Sequence, residues 1–239
     1  LHPVPVGVSI IQPIMVGDEN ANFQWYQGRD ALNVADQEVL SSAEFPWKQY
    51  ACAFSMSGLE MLQNSGQDQV INMMKARSMH CEKTIVNQMH KSAHGDGTAS
   101  AGKEFGGMQL LIANAAGATV GGINSGSYTW WDNQRKVGGA PTTANIYANM
   151  LDLYERSRRG TDSINLITSD SSYFMIFAQS LQAQQRFSNS RLAAAGFNNI
   201  TFMDVPVVSD GGIGGYAPVG MKFLNLETIT LSMHKDRNN

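Results

Sequence analysis

Three short segments carry residue types that could do chemistry, and the first has the spacing of a phosphate-binding loop. Residues 97–103 read Gly-Thr-Ala-Ser-Ala-Gly-Lys, which matches the glycines and the lysine of that motif. The next residue, Glu104, stands where a serine or threonine is needed to hold magnesium, and a predicted helix rather than a strand precedes the loop. The sequence therefore favours a surface loop over a nucleotide site.

The second segment groups histidines with a cysteine, which are common zinc ligands. His90 and His94 are one helical turn apart, whereas His80 and Cys81 lie about 15 Å away along a straight helix. One tetrahedral ion cannot be held by both pairs. We therefore expect surface histidines and no metal site here.

The third segment, Ser169-Asp170-Ser171-Ser172, lies between a predicted strand and a predicted helix, where hydrolases place a nucleophile. The glycines that flank the serine of a nucleophile elbow are absent. A helix N-cap at Asp170 or Ser169 explains the segment more simply. With no catalytic residue and no cofactor site predicted in any of the three segments, the sequence indicates a protein that is not an enzyme.

The elements around these segments mix helices and strands, which predicts an α+β protein. Apolar residues from Val70 to Met89 recur at spacings of four and seven and mark one face of an amphipathic helix. This helix follows a break at 64–66 and ends in the turn 94–97. Further predicted elements are a helix from the Pro141-Thr142-Thr143 cap to Arg156, a strand at 164–168, a helix at 171–182, and strands at 199–208 and 221–233.

A polar, aromatic arm is predicted near the start of the chain, at residues 23–50. An outgoing part rich in aromatic residues leads to a polar tip, and the chain returns through 45–48. A two-stranded arm of this kind is marginal in water unless something packs on it. Two alternatives stay open, because Trp25, Tyr26 and Trp47 either face the chain's own core or are covered by another copy.

The segments that flank the arm are also expected to be extended. Residues 4–16 are apolar but interrupted by proline, as in an edge piece. After the arm, Tyr50, Cys52, Phe54 and Met56 alternate with small residues, which predicts a strand.

Composition narrows the class of protein. Charged residues make up 15% of the 239-residue chain, against about 25% in an ordinary soluble domain. A surface poor in charge suits a protein that is covered by other copies of itself, although a merely polar domain would also show it. The net charge of −3 argues against a dedicated nucleic-acid binder.

Cysteine content and hydropathy bear on the compartment. Two cysteines make no disulfide framework, so a reducing compartment is expected. No apolar run approaches the about 20 residues of a membrane span, and no membrane partner is predicted. Because the chain begins at Leu1 rather than methionine, we expect a processed or incomplete product.

Short motifs follow one another in a characteristic order along nearly the whole chain. They are Tyr26-Gln27-Gly28-Arg29-Asp30, Ala43-Glu44-Phe45-Pro46-Trp47-Lys48-Gln49, Ser57-Gly58-Leu59-Glu60, Gly95-Asp96-Gly97-Thr98, Gly121-Gly122-Ile123, Trp130-Trp131, Gln184-Gln185-Arg186-Phe187, Ala195-Gly196-Phe197, Val205-Pro206-Val207-Val208 and His234-Lys235-Asp236-Arg237-Asn238. In order and spacing this set resembles the major capsid proteins of tailed bacteriophages, which have the Hong Kong 97-type coat fold.

The resemblance implies a domain organisation and an interface. It assigns 1–22 to an N-terminal extended segment, 23–50 to the extended E-loop hairpin, 51–96 to a peripheral domain with a long spine helix, 97–219 to a mixed α/β axial domain, and 220–239 to strands that return to the peripheral domain. It also implies that the native ends are missing. The E-loop residues expected at the subunit interface are Trp25, Tyr26, Gln27, Gly28, Arg29, Asp30, Phe45, Trp47 and Lys48.

The implied function is that of a coat protein that assembles head to tail into an icosahedral shell around the double-stranded DNA of a tailed phage. Its partners would be many copies of itself in pentamers and hexamers, scaffold or decoration proteins, and packaged DNA contacted weakly and non-specifically. It would assemble in the host bacterial cytoplasm and end in the virion. The alternatives are an encapsulin-type nanocompartment, which has the same fold but holds cargo enzymes, and, more distantly, an α/β hydrolase-like enzyme using 169–172.

Overall fold

The chain folds as two units, each built from segments that are distant in the sequence. The computed structural model describes residues 2–4, 7–16, 22–36, 39–63, 67–136, 140–158, 160, 162–182, 200–210 and 215–234. The first unit comprises Leu1–Trp47, Ala113–Val137 and Glu227–Asn239, and the second comprises Lys48–Ile112 and Gly138–Leu226. The mixture of helices and strands confirms the predicted α+β class.

The elements of the described residues follow in chain order. The strands are β1 (His2–Val4), β2 (Ser9–Met15), β3 (Leu40–Pro46), β4 (Thr119–Val120), β5 (Ile123–Asn124), β6 (Leu166–Ser169), β7 (Thr201–Phe202), β8 (Val205–Ser209), β9 (Met221–Leu224) and β10 (Ser232–His234). The helices are α1 (Gly58–Gln63), α2 (Gln67–His94), α3 (Ala99–Gly102), α4 (Met108–Leu111), α5 (Ile146–Ser157) and α6 (Ser171–Gln182), with a 3-10 turn at Thr129–Trp131.

The first unit contains an antiparallel ribbon of β2 and β3. Ser9 pairs with Pro46 at one end, and Met15 pairs with Leu40 at the other. Pro13 is tolerated in β2 because each strand of a two-stranded ribbon is an edge, with N–H positions that need no partner. The predicted pairing within the arm is therefore wrong, since the returning strand pairs with the segment that precedes the arm.

A close backbone approach joins this ribbon to the β4–β5 hairpin of the same unit. The Glu44 N–H donates to the Gly121 carbonyl at 2.9 Å, beside the buried Ala43. Gly121 has a φ of +58°, and a Cβ added there would lie 2.7 Å from the Ala43 Cβ. Only glycine fits this contact without displacing the ribbon. Strands β1 and β10 add a short parallel pair to the unit.

The core of the second unit is built on a four-stranded sheet with the strand order β7-β8-β6-β9. Strand β6 runs parallel to β8 and antiparallel to β9, and α5 and α6 contribute side chains to the same core. Helix α6 has the bounds that the sequence predicts. The buried core residues are Ile146, Met150, Ile164, Ile167, Phe177, Phe202, Val205 and Val207.

Two predicted strands are each divided in the structure. The described part of 199–208 is the hairpin β7–β8, in which Met203 and Asp204 turn the chain with φ values of +48° and +65°. The strand predicted at 221–233 is divided into β9 and β10, which belong to different units. Neither interruption contains glycine or proline, the strongest sequence signals for a turn.

Helix α2 is the long amphipathic helix that the periodicity predicts, from Gln67 to His94. Its buried Cys81 forms a disulfide with Cys52, with Cα atoms 5.9 Å apart. The expectation that the cysteines make no disulfide is therefore wrong, and the alternating stretch at 50–56 forms no strand. None of the helices in the described ranges combines the length and apolar character that crossing a bilayer requires.

Candidate subunit interface

The described tip of the arm, residues 22–36, is a loop held by side-chain amides rather than by strand pairing. Gln24 Nε2 donates to the Ala31 carbonyl at 3.1 Å, and Gln24 Oε1 accepts from the Asn33 N–H at 3.3 Å. A single glutamine therefore bridges the outgoing and returning halves of the tip.

The chain reverses inside the motif Tyr26-Gln27-Gly28-Arg29-Asp30. Gly28 has a φ of +62°, which favours glycine, and the Asp30 carboxylate accepts from the Gln27 N–H at 2.9 Å. These polar residues build the turn that presents the neighbouring aromatic side chains.

Apolar side chains of the tip face solvent. Trp25 is 92% exposed, and its ring meets Phe23 edge to face with centroids 5.7 Å apart. The alternative that Trp25 and Tyr26 face the chain's own core is therefore wrong. Large exposed apolar patches mark interaction sites in soluble proteins. The other exposed apolar residues of the tip and ribbon include Phe23, Tyr26, Leu32, Val34, Ile11, Met15 and Leu40.

The predicted interface residues on the returning strand have a different environment. Trp47 Nε1 donates to the Gly7 carbonyl at 2.9 Å, and its ring meets His234 edge to face at 5.5 Å. Phe45 approaches Gly121 in the same unit. The six residues from Trp25 to Asp30 thus form the exposed group, whereas Phe45 and Trp47 pack on their own unit.

The glycine-rich segment 97–103 is a left-handed turn. Ser100 and Ala101 have φ values of +53° and +56°, and the Gly102 carbonyl accepts a hydrogen bond from Lys48 Nζ. A phosphate-binding loop instead presents backbone N–H groups to the anion. Lys48 is the remaining predicted interface residue, and it makes its hydrogen bond within the second unit.

Asp170 is the N-cap of α6. Its carboxylate accepts from the Ser172 N–H at 3.2 Å and from the Tyr173 N–H at 3.4 Å. Ser169 is buried, and its Oγ donates to the Asp170 carbonyl at 2.9 Å. The predicted cap is confirmed at Asp170, and the Ser169 hydroxyl is turned to the backbone of the same segment.

A cluster of two histidines and a carboxylate lies elsewhere in the second unit. His90 Nε2 is 3.1 Å from each carboxylate oxygen of Asp210, and His94 Nε2 hydrogen-bonds to Oδ2. Burial alone would raise the pKa of Asp210, but the hydrogen bonds from both histidines outweigh burial and lower it. The expectation of surface histidines is wrong for His94, which is 3% exposed.

Sequence reasoning missed Asp210, although the chain carries a signal for it. Strands β6 and β8 run parallel with Ser169 opposite Ser209, and each strand is followed by an aspartate. Parallel strands bring their carboxyl ends to one edge of a sheet, where polar residues gather. The repeated Ser-Asp pair at two strand ends therefore predicts that Asp170 and Asp210 are neighbours.

Lys222 on β9 is a second residue that the sequence did not single out. It lines a cavity of about 10 Å³ together with His94 and Ser169. Within the described part of the chain, Lys222 Nζ and His94 Nδ1 are both buried without a hydrogen-bond partner. Burial lowers the pKa of Lys222 to about 8.

Comparison with solved structures finds this fold in a virus capsid. The chain matches a chain of the cyanophage A-1(L) capsid asymmetric unit with a TM-score of 0.62 and 18% sequence identity. The match covers 95% of this chain and 69% of that chain. No protein-family model and no curated protein matches the sequence. At this identity the similarity establishes a shared fold.

Proposed function

We propose that this chain is the major capsid protein of a tailed phage, with a Hong Kong 97-type fold. Many copies assemble head to tail as pentamers and hexamers into an icosahedral shell that encloses double-stranded DNA. The observation that carries the proposal is the fold shared with a cyanophage capsid chain over 95% of this sequence. The exposed apolar tip supports it independently.

The arm supplies the kind of contact that a shell needs. A head-to-tail interface joins one surface of a copy to a different surface of the next, and it closes into rings when the rotation allows. Burying a side chain as large as Trp25 on a neighbour stabilises the contact by about 3 kcal/mol. Many simultaneous contacts of this size hold a shell even when each is weak alone.

The proposal carries over the division into coat-protein parts that the resemblance implies. We assign the ribbon β2–β3 and its tip to the E-loop, which extends the predicted 23–50 segment to the strand that pairs with it. Helix α2 is the spine helix of the peripheral domain at 51–96, 97–219 forms the axial domain, and 220–239 returns to the peripheral domain. The proposed interface is the exposed group from Trp25 to Asp30.

The proposal is tested by electron microscopy of the full chain and of Trp25→Ala. We expect closed shells from the wild type. Trp25→Ala should keep the wild-type unfolding temperature, because a 92% exposed side chain contributes little to folding. It should assemble poorly, because an aromatic anchor is worth about 2 kcal/mol or more at an interface, or about thirtyfold in each contact.

Trp25→Phe is the matched control, since it retains an aromatic anchor and should retain most of the assembly. Trp47→Ala should instead lower the unfolding temperature, because the Trp47 ring donates a hydrogen bond to the Gly7 carbonyl within its own unit. A wild-type chain that sediments as a monomer at every concentration would contradict the shell. If Trp25→Ala assembles as well as the wild type, the tip is not part of the interface.

The contents of natural particles separate a phage coat from an encapsulin. Nuclease-protected DNA is expected in the first, and cargo enzymes are expected in the second.

A further inference from the structure

The geometry points to a zinc site in the second unit, formed by His90, His94 and Asp210. The three residues come from two separate parts of the chain, the last two turns of α2 and the residue that directly follows β8. The proposal does not rest on the arm or on shell assembly.

The ligand atoms already converge. His90 and His94 are four residues apart on α2, so they share one helix face, and their ring centroids are 5.0 Å apart. Both rings present Nε2 to the Asp210 carboxylate, and one ligand atom from each of the three residues lies within 4.8 Å of the others. Imidazole nitrogen and carboxylate oxygen together suit Zn²⁺.

His90 Nε2 and the Asp210 carboxylate oxygens are spaced nearly as two ligands of a tetrahedral site. With bonds of about 2.0–2.1 Å to the ion, two ligand atoms of a tetrahedron are about 3.3 Å apart. The two His90–Asp210 separations are 3.1 Å. The ion would also require the direct hydrogen bond between His94 and Asp210 to open.

Burial in the cluster is one-sided. His94 is 3% exposed, whereas the side chains of His90 and Asp210 are 40% and 31% exposed. Three protein ligands with one open side leave the fourth position to a solvent molecule, as in zinc sites with three protein ligands. The ring of Tyr216 stands edge-on to His90 at 5.9 Å and borders the cluster.

The second ring nitrogen of His94, Nδ1, also fits a histidine that binds zinc. A zinc-bound histidine donates its other N–H to an outer partner. His94 Nδ1 is buried, and His94 lines a cavity of about 10 Å³ together with Ser169 and Lys222. That volume is about the size of one water molecule, which could accept this N–H. With Nε2 as the ligand atom, Nδ1 is the nitrogen that carries the proton.

The test is metal titration of the full chain after treatment with EDTA and removal of the chelator. Calorimetry with ZnCl₂ should give one ion per chain, and CoCl₂ should produce the visible absorption of a tetrahedral cobalt centre. His90→Ala should weaken zinc binding by about tenfold or more. Asp210→Asn, which retains a hydrogen-bond acceptor but loses the charge, should do the same.

His80→Ala is the matched control, because His80 lies on the same helix, is exposed, and is outside the cluster. It should leave the zinc affinity unchanged. The inference is overturned if the wild type binds no zinc, or if His90→Ala binds zinc as tightly as the wild type. If Asp210→Asn does not fold, the zinc affinity of His90→Ala is enough to decide whether the site exists. Because binding is read on the chain in any assembly state, its outcome is separate from the test for shells.

Discussion

At the scale of single residues, two aspartates at neighbouring strand ends have different roles. Asp170 follows β6, and its carboxylate accepts backbone N–H groups from the first turn of α6 and from Gly220 at 3.1 Å. Asp210 follows β8 and accepts from imidazole side chains of α2. The same Ser-Asp pair therefore gives a helix cap at one strand and a candidate metal ligand at the next, because different elements face the two carboxylates.

Lys222 gives a prediction with a defined pH dependence. Its pKa falls from 10.5 to about 8 through burial. Between these values the unfolded chain binds more protons than the folded chain, so wild-type stability should rise with pH from about 8 to 10.5. Lys222→Met should raise the free energy of unfolding at pH 7 by about 1–2 kcal/mol, after discounting for partial exposure, and should abolish this rise.

Thermal denaturation at pH 7 and pH 10 measures both effects. Lys83→Met, at an exposed position on α2, is the control and should change neither. A Lys222→Met variant that is less stable than the wild type at pH 7 would show that the ammonium group is stabilised where it lies.

At the scale of elements, the start of α1 is built by a capping box. Ser57 Oγ accepts from the Glu60 N–H at 3.2 Å, and the Glu60 carboxylate accepts from the Ser57 N–H at 3.1 Å. Arg77 of α2 donates to the same carboxylate at 2.9 Å and also to the Ser55 carbonyl. The hydrogen bond from the Ser57 backbone, followed by that from Arg77, lowers the pKa of Glu60.

Arg77 therefore joins the entry segment, α1 and α2. We predict that Arg77→Ala loosens residues 55–63 without disturbing the β6–β8 core. The backbone amides of 55–63 should exchange with deuterium about fivefold faster, because the hydrogen bonds that Arg77 donates to Glu60 and to Ser55 are lost.

Hydrogen–deuterium exchange with mass spectrometry provides the measurement. Arg77→Lys retains the charge but loses the two-pronged geometry, so its effect should be intermediate. Unchanged exchange at 55–63 would mean that the capping box holds α1 without help from α2.

Elements with a strong local signal were predictable from the sequence. Helix α2 has a regular apolar stripe, and α6 begins at a recognisable cap, so their bounds were found. The pairing of β3 with β2 was not found, because it joins segments about 30 residues apart and no local pattern selects the partner. The turn between β7 and β8 was missed because Met203 and Asp204 adopt positive φ without a glycine.

The candidate sites, too, were predictable only where the signal is local in the sequence. Local composition predicted an aromatic arm that is marginal by itself, and in the structure Trp25 is 92% exposed with its ring edge to face with Phe23. The histidine pair was visible in the sequence, but Asp210 is 116 residues from His94. Tertiary packing alone brings them together.

At the scale of the whole molecule, the charges are few, and some of the arginines in the described ranges pair with carboxylates. The net charge is −3, and arginines of both units face nearby carboxylates. These ion pairs are Arg77–Glu60, Arg135–Asp132 and Arg156–Asp152. If the proposed shell encloses DNA, a subunit with this charge would do so by closure rather than by tight binding, and the exposed tip makes apolar contacts between copies the expected ones.

We therefore predict that the DNA affinity and the shell stability of this protein respond to salt in the opposite way to those of a typical DNA-binding protein. Unassembled Trp25→Ala subunits should bind a labelled DNA duplex with a Kd weaker than about 10⁻⁴ M at physiological salt, as measured by fluorescence anisotropy. Wild-type shells should survive about 1 M NaCl, where the screening length is about 3 Å, because screening does not weaken apolar contacts. Micromolar or tighter DNA binding that falls steeply with salt, together with shells that dissolve in 1 M NaCl, would show that electrostatics and not apolar overlap hold the particle together.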